Sequence, residues 1–109
     1  MELPTRTIDS ITDEAVARIR AVVQPERVLL FGSWARGEAG PDSDLDLLIV
    51  ASFSGSRNEV GLAVLRALAD LPVPTDAVVL RPEEWEAWRS VPGTVAYPAD
   101  QDGRLLYEA

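Results

Sequence analysis

The sequence predicts an α/β protein of the α+β type, in which one small mixed β-sheet carries helices packed on it. Short apolar runs alternate with amphipathic stretches along the 109 residues, as expected when strands and helices share one sheet. Cysteine and histidine are absent, so disulfides and metal held by thiolate or imidazole are excluded. The length and the ordinary hydrophobic content of 47% predict a single domain over residues 1–109.

The first half of the chain predicts one helix and two strands. The helix has apolar residues at helical spacing, a cap formed by Ser10 and Asp13, and an end before Pro25. Two apolar runs follow as strands, and the glycine, proline, aspartate and serine residues between them indicate a turn and a loop. The predicted bounds are 10–23 for the helix, 27–31 and 45–50 for the strands, 32–33 for a turn, 33–37 for a brief helix and 38–43 for the loop.

The second half predicts a polar turn, a helix, an edge strand and short terminal elements. The apolar residues Val60, Val64, Leu65 and Leu68 should face inward from the helix. Pro72 and Pro74 place the start of the next strand at a sheet edge, and Pro82 opens a short helix. The predicted bounds are 51–56 for the turn, 57–71 for the helix, 73–80 for the strand, 82–88 for the short helix, 94–99 for one helical turn and 104–107 for a terminal strand or docked tail.

The charge balance and the hydropathy of the sequence argue against two kinds of partner, nucleic acid and membranes. Ten basic residues, all of them arginine, face 18 acidic residues, for a formal net charge of −8. Such an acidic surface argues against extended contact with nucleic acid, which needs a basic stripe. No apolar run approaches about 20 residues, and the N-terminal Met-Glu-Leu-Pro-Thr lacks a basic, apolar leader. We therefore expect no membrane association and a cytoplasmic location.

Two aspartates at the start of an apolar strand are the strongest indication of chemistry. Asp44 and Asp46 are separated by one residue, so in an extended strand they share a face with Cα atoms roughly 6.5 to 7 Å apart. Aspartate is depleted in strands, and two carboxylates so close repel each other unless a divalent cation lies between them. The alternative, in which they only cap the entry of the strand, applies more to Asp44 than to Asp46, which lies deeper.

Asp76 is a third acidic candidate. It lies in Thr-Asp-Ala-Val-Val-Leu, an otherwise apolar and β-branched strand. If this strand neighbours the one that contains Asp44 and Asp46, three carboxylates converge, enough for two magnesium ions. An exposed aspartate at the entry of an edge strand is the alternative.

The Gly32-Ser33 turn, which follows one strand and precedes a predicted helix, is a candidate phosphate site. Glycine allows the backbone to approach a ligand, and unpaired amides at a helix N-terminus attract an anion. The hydroxyl of Ser33 adds a donor, and Arg36 can meet phosphate charge. Each of these residues is also common in ordinary turns and on solvated surfaces.

Taken together, these motifs resemble the minimal nucleotidyltransferases of the DNA polymerase β superfamily. The resemblance rests on Leu-Phe-Gly-Ser-Trp-Ala-Arg-Gly followed by Ser-Asp-Leu-Asp-Leu-Leu-Ile-Val; it is close over residues 28–50 and looser over 11–80. It implies the polymerase β palm-like fold and a magnesium-dependent transfer of a nucleoside monophosphate, AMP from ATP. It also implies two sets of site residues. Gly32, Ser33, Arg36 and Ser43 would bind the nucleotide. Asp44, Asp46 and Asp76 would be the catalytic residues around two Mg²⁺ ions, with Asp76 as a third metal ligand or as the base that helps activate the acceptor hydroxyl.

The resemblance further implies a partner and an acceptor. Such proteins are commonly encoded beside a HEPN-domain protein, and in some pairs the nucleotidyltransferase silences the toxin by attaching AMP to a tyrosine. Trp34 departs from the arginine that is frequent at its position. Two other functions stay open: an antitoxin that neutralises its partner by contact alone, and a small-molecule nucleotidyltransferase of the aminoglycoside-modifying type. The sequence leaves homo-oligomers and heteromeric complexes equally open.

Overall fold

The computed structural model describes residues 7–40 and 42–109. The N-terminal stretch, on which the expected lack of a leader rests, and Pro41 in the predicted 38–43 loop lie outside the described residues. The elements in chain order are α1 (Ile8–Val22), β1 (Pro25–Phe31), β2 (Leu45–Ala51), α2 (Arg57–Leu68), β3 (Thr75–Leu80), α3 (Pro82–Trp88), α4 (Ala96–Asp102) and β4 (Arg104–Glu108).

The strands form one mixed sheet, as the sequence predicts. Their order is β3-β2-β1-β4. β1 pairs antiparallel with both β2 and β4, whereas β2 and β3 are parallel. β3 is an edge strand, as its flanking prolines predict, and the C-terminal residues form a strand rather than a docked tail. The two central strands are the two with the strongest apolar runs, because both of their faces are covered.

Each face of the sheet has its own hydrophobic core. The first face is covered by α1 and α2, and its buried strand residues include Leu30, Leu47 and Ile49. The second face is covered by α3 and α4, and its buried residues include Leu48 and Val50. We call these the α1/α2 face and the α3/α4 face. Because side chains alternate along a strand, even-numbered residues of β2 and β3 point to the α3/α4 face.

Several helix boundaries differ from the prediction. The N-cap of α1 is Thr7, whose side chain accepts a hydrogen bond from the Ser10 amide at 3.0 Å, so Ser10 lies within the helix. α2 ends at Leu68, three residues early, and β3 begins at Thr75 because the intervening residues form bends. α4 is longer than the single predicted turn. Within the described chain, none of these helices combines the length and apolar character that crossing a bilayer requires.

Candidate active site

Two aspartates lie side by side at the start of the parallel strand pair. Asp46 of β2 and Asp76 of β3 are register partners, and Phe31 at the end of β1 is the partner of Asp46 on its other side. Paired residues on neighbouring strands point to the same face, and the strands are about 4.8 Å apart. Both carboxylates therefore lie on the α3/α4 face, at the end that the helices leave open.

The charges of the three predicted acidic residues act on one another. Asp46 is half-buried, whereas Asp44 and Asp76 are exposed. Burial is the main reason that the pKa of Asp46 is raised above its ordinary value, and the negative charges of Asp76 and Asp44 raise it further. The positive charge of Arg36 acts in the opposite direction. The structure thus brings Asp44, Asp46, Asp76 and Arg36 into one electrostatic group.

The glycine turn lies directly against the half-buried carboxylate. Gly32 has a φ of +76°, a left-handed conformation that favours glycine. A Cβ atom at this position would lie 2.2 Å from Oδ2 of Asp46, far closer than any allowed contact. The turn after β1 therefore needs glycine for two independent reasons, and its backbone forms one wall beside the carboxylates.

Residues 33–37 form hydrogen-bonded turns instead of the predicted brief helix. The Arg36 amide donates to the Gly32 carbonyl at 3.2 Å, and the Glu38 amide donates to the Ser33 carbonyl at 2.9 Å. Gly37 has a φ of +73°, which ends any helical continuation. The backbone amides of this turn still lie one after another around a single bend. Ser33, at the start of the turn, is half-buried.

Arg36 is exposed and is already engaged by a neighbouring acid. Its Nε donates to Oε1 of Glu38 at 2.9 Å, and both side chains are open to solvent. An exposed pair of this kind contributes little to stability, so the guanidinium can exchange Glu38 for a phosphate at small cost.

Ser43 and Trp34 join the loop to the turn. The Ser43 hydroxyl accepts from the Gly40 amide at 2.9 Å, and the Ser43 carbonyl accepts from Nε1 of Trp34 at 3.3 Å. The Trp34 ring packs against the core on the α1/α2 face. Trp34 therefore fixes the position of the loop that leads into Asp44, which is a role that the sequence does not reveal.

The donor set suits a hard divalent cation in its chemistry. Three carboxylates and a serine hydroxyl offer only oxygen, which Mg²⁺ prefers over nitrogen or sulfur. As the side chains stand in residues 7–40 and 42–109, no three acidic groups are arranged closely enough to hold one ion together. Ligation by all three aspartates thus requires side-chain rotation, which exposed Asp44 and Asp76 permit.

An apolar groove beside β3 lies outside the sequence-predicted site. It has a volume of about 470 Å³ and is lined by residues of α2 and β3, among them Leu62 and Leu65. These leucines are 48% and 37% exposed, so the prediction that Leu65 faces inward is wrong. Their position three residues apart on α2 was the available signal, but periodicity alone does not tell a covered face from an open one.

Comparisons with known proteins identify the family and the fold of this chain. A family model described as a nucleotidyltransferase domain matches residues 13–95. A putative nucleotidyltransferase from Sulfolobus solfataricus has 22% identity and a TM-score of 0.64, with 93% of this chain and 80% of that chain covered. No curated protein matches the sequence.

Two further solved structures share the fold and come from toxin–antitoxin systems. A toxin–antitoxin with AMP-PNP has 21% identity and a TM-score of 0.62, with 89% of this chain and 73% of that chain covered. A complex of tri-AMPylated HEPN toxin with MNT antitoxin from Shewanella oneidensis has 18% identity and a TM-score of 0.56, covering 91% and 71%. At these identities the likeness concerns the fold, whereas the family model spans most of the sequence. The chain belongs to the nucleotidyltransferase domain family, and it is a nucleotidyltransferase.

Proposed function

We propose that this nucleotidyltransferase transfers AMP from ATP to a hydroxyl of a partner protein, namely a tyrosine of a HEPN-domain toxin that it thereby silences. The toxin–antitoxin structures that share the fold, one with AMP-PNP and one with an AMPylated HEPN toxin, support this choice of nucleotide and acceptor. The observation that carries the proposal is the register pairing of Asp46 with Asp76 beside the Gly32 turn.

The nucleotide binds across the turn and the loop. The backbone amides after Gly32 and the hydroxyl of Ser33 hold phosphate oxygens, because a tight turn directs several N–H groups at one anion. Arg36 leaves Glu38 and adds positive charge on the triphosphate. Ser43 contributes its hydroxyl proton as a donor, since its oxygen already accepts from the Gly40 amide.

The three aspartates would hold magnesium and position the acceptor. Asp46 in β2 and Asp44, immediately before it, would be metal ligands, and Asp76 would be a third ligand or the base that takes the proton of the acceptor hydroxyl. When bound, Mg²⁺ would lower the pKa of the acceptor oxygen and stabilise the charge of the leaving pyrophosphate. The acceptor oxygen attacks the α-phosphorus in line, the bond to the β-phosphate oxygen breaks, and pyrophosphate leaves with both bonding electrons.

Mass spectrometry of the partner tests the proposal. If a HEPN-domain protein is encoded beside this chain, then the two purified proteins with ATP and Mg²⁺ should yield a HEPN protein heavier by one or more AMP groups. Asp44→Asn and Asp46→Asn should lower the rate at least about a hundredfold, the usual scale for loss of a charge-stabilising group. A partner without adduct, or variants that match the wild type, would contradict the proposal.

Neutralisation by contact alone is the second candidate. One observation favours it: the exposed leucines of the groove beside β3. Exposed apolar surface of this kind commonly marks contact with another protein. If Asp46→Asn protein still rescues cells from the partner toxin while transferring no AMP, contact rather than chemistry neutralises the toxin.

A further inference from the structure

The free edge of β3 is bordered by the groove described above. The groove is formed by residues of α2 and β3: Arg57, Asn58, Gly61, Leu62, Leu65, Ala77, Val78 and Val79. In the described part of the chain, β3 pairs only with β2, so its outer edge keeps unpaired backbone amides and carbonyls. Natural proteins usually cover or charge such an edge, whereas this one is flanked by half-exposed leucines.

The groove and the candidate active site adjoin the same edge of β3 on opposite faces of the sheet. Asp76 immediately precedes Ala77, which lines the groove, and Asp76 is itself the register partner of Asp46. Ala77 and Val79 point to the α1/α2 face, where they border the leucines of α2, whereas Asp76 points to the α3/α4 face. At the free edge of β3, the groove thus lies on the α1/α2 face and the carboxylate of Asp76 lies on the α3/α4 face.

We propose that the acceptor is an extended polypeptide segment that pairs with the free edge of β3 as an added strand. Resting on the proposed function, this inference names how the acceptor is recognised. An added strand lies about 4.8 Å from β3 and directs alternate side chains to opposite faces. The side chain that bears the acceptor hydroxyl lies beside Asp76, and its two neighbours in sequence point into the groove.

Charge complementarity restricts the segment further. Asp44 and Asp76 are exposed beside the acceptor position, and the whole chain has a net charge of −8. The cation in the groove, Arg57, is ion-paired with Glu84. The side chains two residues from the acceptor share its face: the one level with Pro74 lies toward Asp44, and the one level with Val78 borders apolar surface. A basic residue at both positions meets Asp44 in either strand direction, which gives the pattern basic, apolar, acceptor, apolar, basic.

Hydrogen–deuterium exchange of the β3 amides tests this pairing without catalysis. The probe is a short acetylated peptide with Lys-Val-Tyr-Val-Lys at its centre, titrated without Mg²⁺ or nucleotide. At five times its measured Kd, the exchange of unpaired β3 amides should slow about sixfold. Two comparison peptides, with Glu-Val-Tyr-Val-Glu and with Lys-Asp-Tyr-Asp-Lys, should bind at least about tenfold more weakly.

Two leucine variants separate the groove from general surface effects. Leu65→Glu should weaken the peptide about tenfold, because it places a charge where an apolar side chain is buried. Leu105→Glu is the matched control: Leu105 is 46% exposed on β4 at the opposite edge of the sheet, and this variant should bind like the wild type. Both residues are exposed, so neither change should unfold the protein.

The outcomes distinguish this inference from the proposed function. Absence of slowed exchange at β3 up to the solubility limit of the peptide, or equal weakening by both variants, overturns the inference. Slowed exchange that depends on protein concentration in the absence of peptide also overturns it, because a second copy then occupies the edge. If the peptide pairs with β3 but receives no label from α-³²P-ATP and Mg²⁺, the docking mode stands and transfer to a tyrosine fails.

Discussion

Substitution of Gly32 by alanine tests the contact between the turn and the carboxylate. Gly32 has a φ of +76°, and an alanine in this left-handed conformation is less favourable by about 1–2 kcal/mol. The new Cβ would also lie 2.2 Å from Oδ2 of Asp46, so that side chain must rotate away, at a further cost of about 0.5–1.5 kcal/mol. We therefore expect Gly32→Ala to lower the free energy of unfolding by about 1.5–3.5 kcal/mol.

Gly37→Ala separates the two costs. Gly37 has nearly the same φ, +73°, but a Cβ there would meet nothing within 4 Å. Its substitution should therefore cost only the conformational part, about 1–2 kcal/mol. The difference between the two variants measures the displacement of Asp46.

A double-mutant cycle by urea denaturation completes the test. In an Asp46→Ala background the carboxylate is gone, so Gly32→Ala should cost about as much as Gly37→Ala. The expected coupling energy is about 0.5–1.5 kcal/mol. Equal costs for the two glycine variants in the wild-type background, or a coupling energy near zero, would show that the turn does not contact Asp46.

Two further substitutions test the charges described above. Without metal at pH 7, Asp46→Asn should raise the free energy of unfolding by about 0.5–1 kcal/mol, because a charge about 5 Å away opposes its carboxylate. The control is Glu26→Gln, a change of an exposed acid at the other end of β1 from Phe31. A destabilised Asp46→Asn protein would contradict the reasoning. Glu84 accepts from the Arg81 amide at 2.8 Å, which is the main reason that its pKa is lowered. The ionised Glu84 carboxylate therefore stabilises the folded state fully above the ordinary glutamate pKa of 4.5. This contribution is lost as the pH falls through the lowered pKa of the folded protein. Glu84→Gln should thus lower the free energy of unfolding by about 0.5–1 kcal/mol at pH 7, which is less than for a buried pair because solvent screens the charge. This loss should become smaller as the pH falls. A loss that does not depend on pH, or an equal loss for the exposed Glu83→Gln variant, would refute the reasoning.

The sequence predicts the centre of the sheet better than its margins. β1 and β2 are recognisable because both faces are buried, which leaves continuous apolar runs, and Asp46 is conspicuous because it interrupts that pattern. The register that sets Asp46 opposite Asp76 depends on which strands are neighbours in the folded sheet. From the sequence, this pairing could be predicted only on the assumption that β2 and β3 are adjacent. The prediction of a mixed sheet with helices packed on it is confirmed.

At the edges of the fold, the exposure of a side chain and the end of a helix depend on how far the neighbouring elements extend. Val22 and Leu65 lie on apolar helix stripes, but they are exposed because the stripes reach beyond the sheet that covers them. The brief helix after Ser33 is absent because the run of turns ends at Gly37, which adopts a left-handed φ. Thr7 caps α1 in place of Ser10, a shift of the boundary that local propensity does not resolve.

The division of the α3/α4 face into a packed half and an open half has an evolutionary consequence. The buried residues Leu48 and Val50 hold the fold, whereas the acidic residues occupy surface that contributes no core. Under the proposed function, a single change of an acidic residue should therefore abolish nucleotidyl transfer while the folded scaffold and its edge strand persist. A lineage of such proteins can drift from enzyme to pure binding partner without passing through an unfolded intermediate.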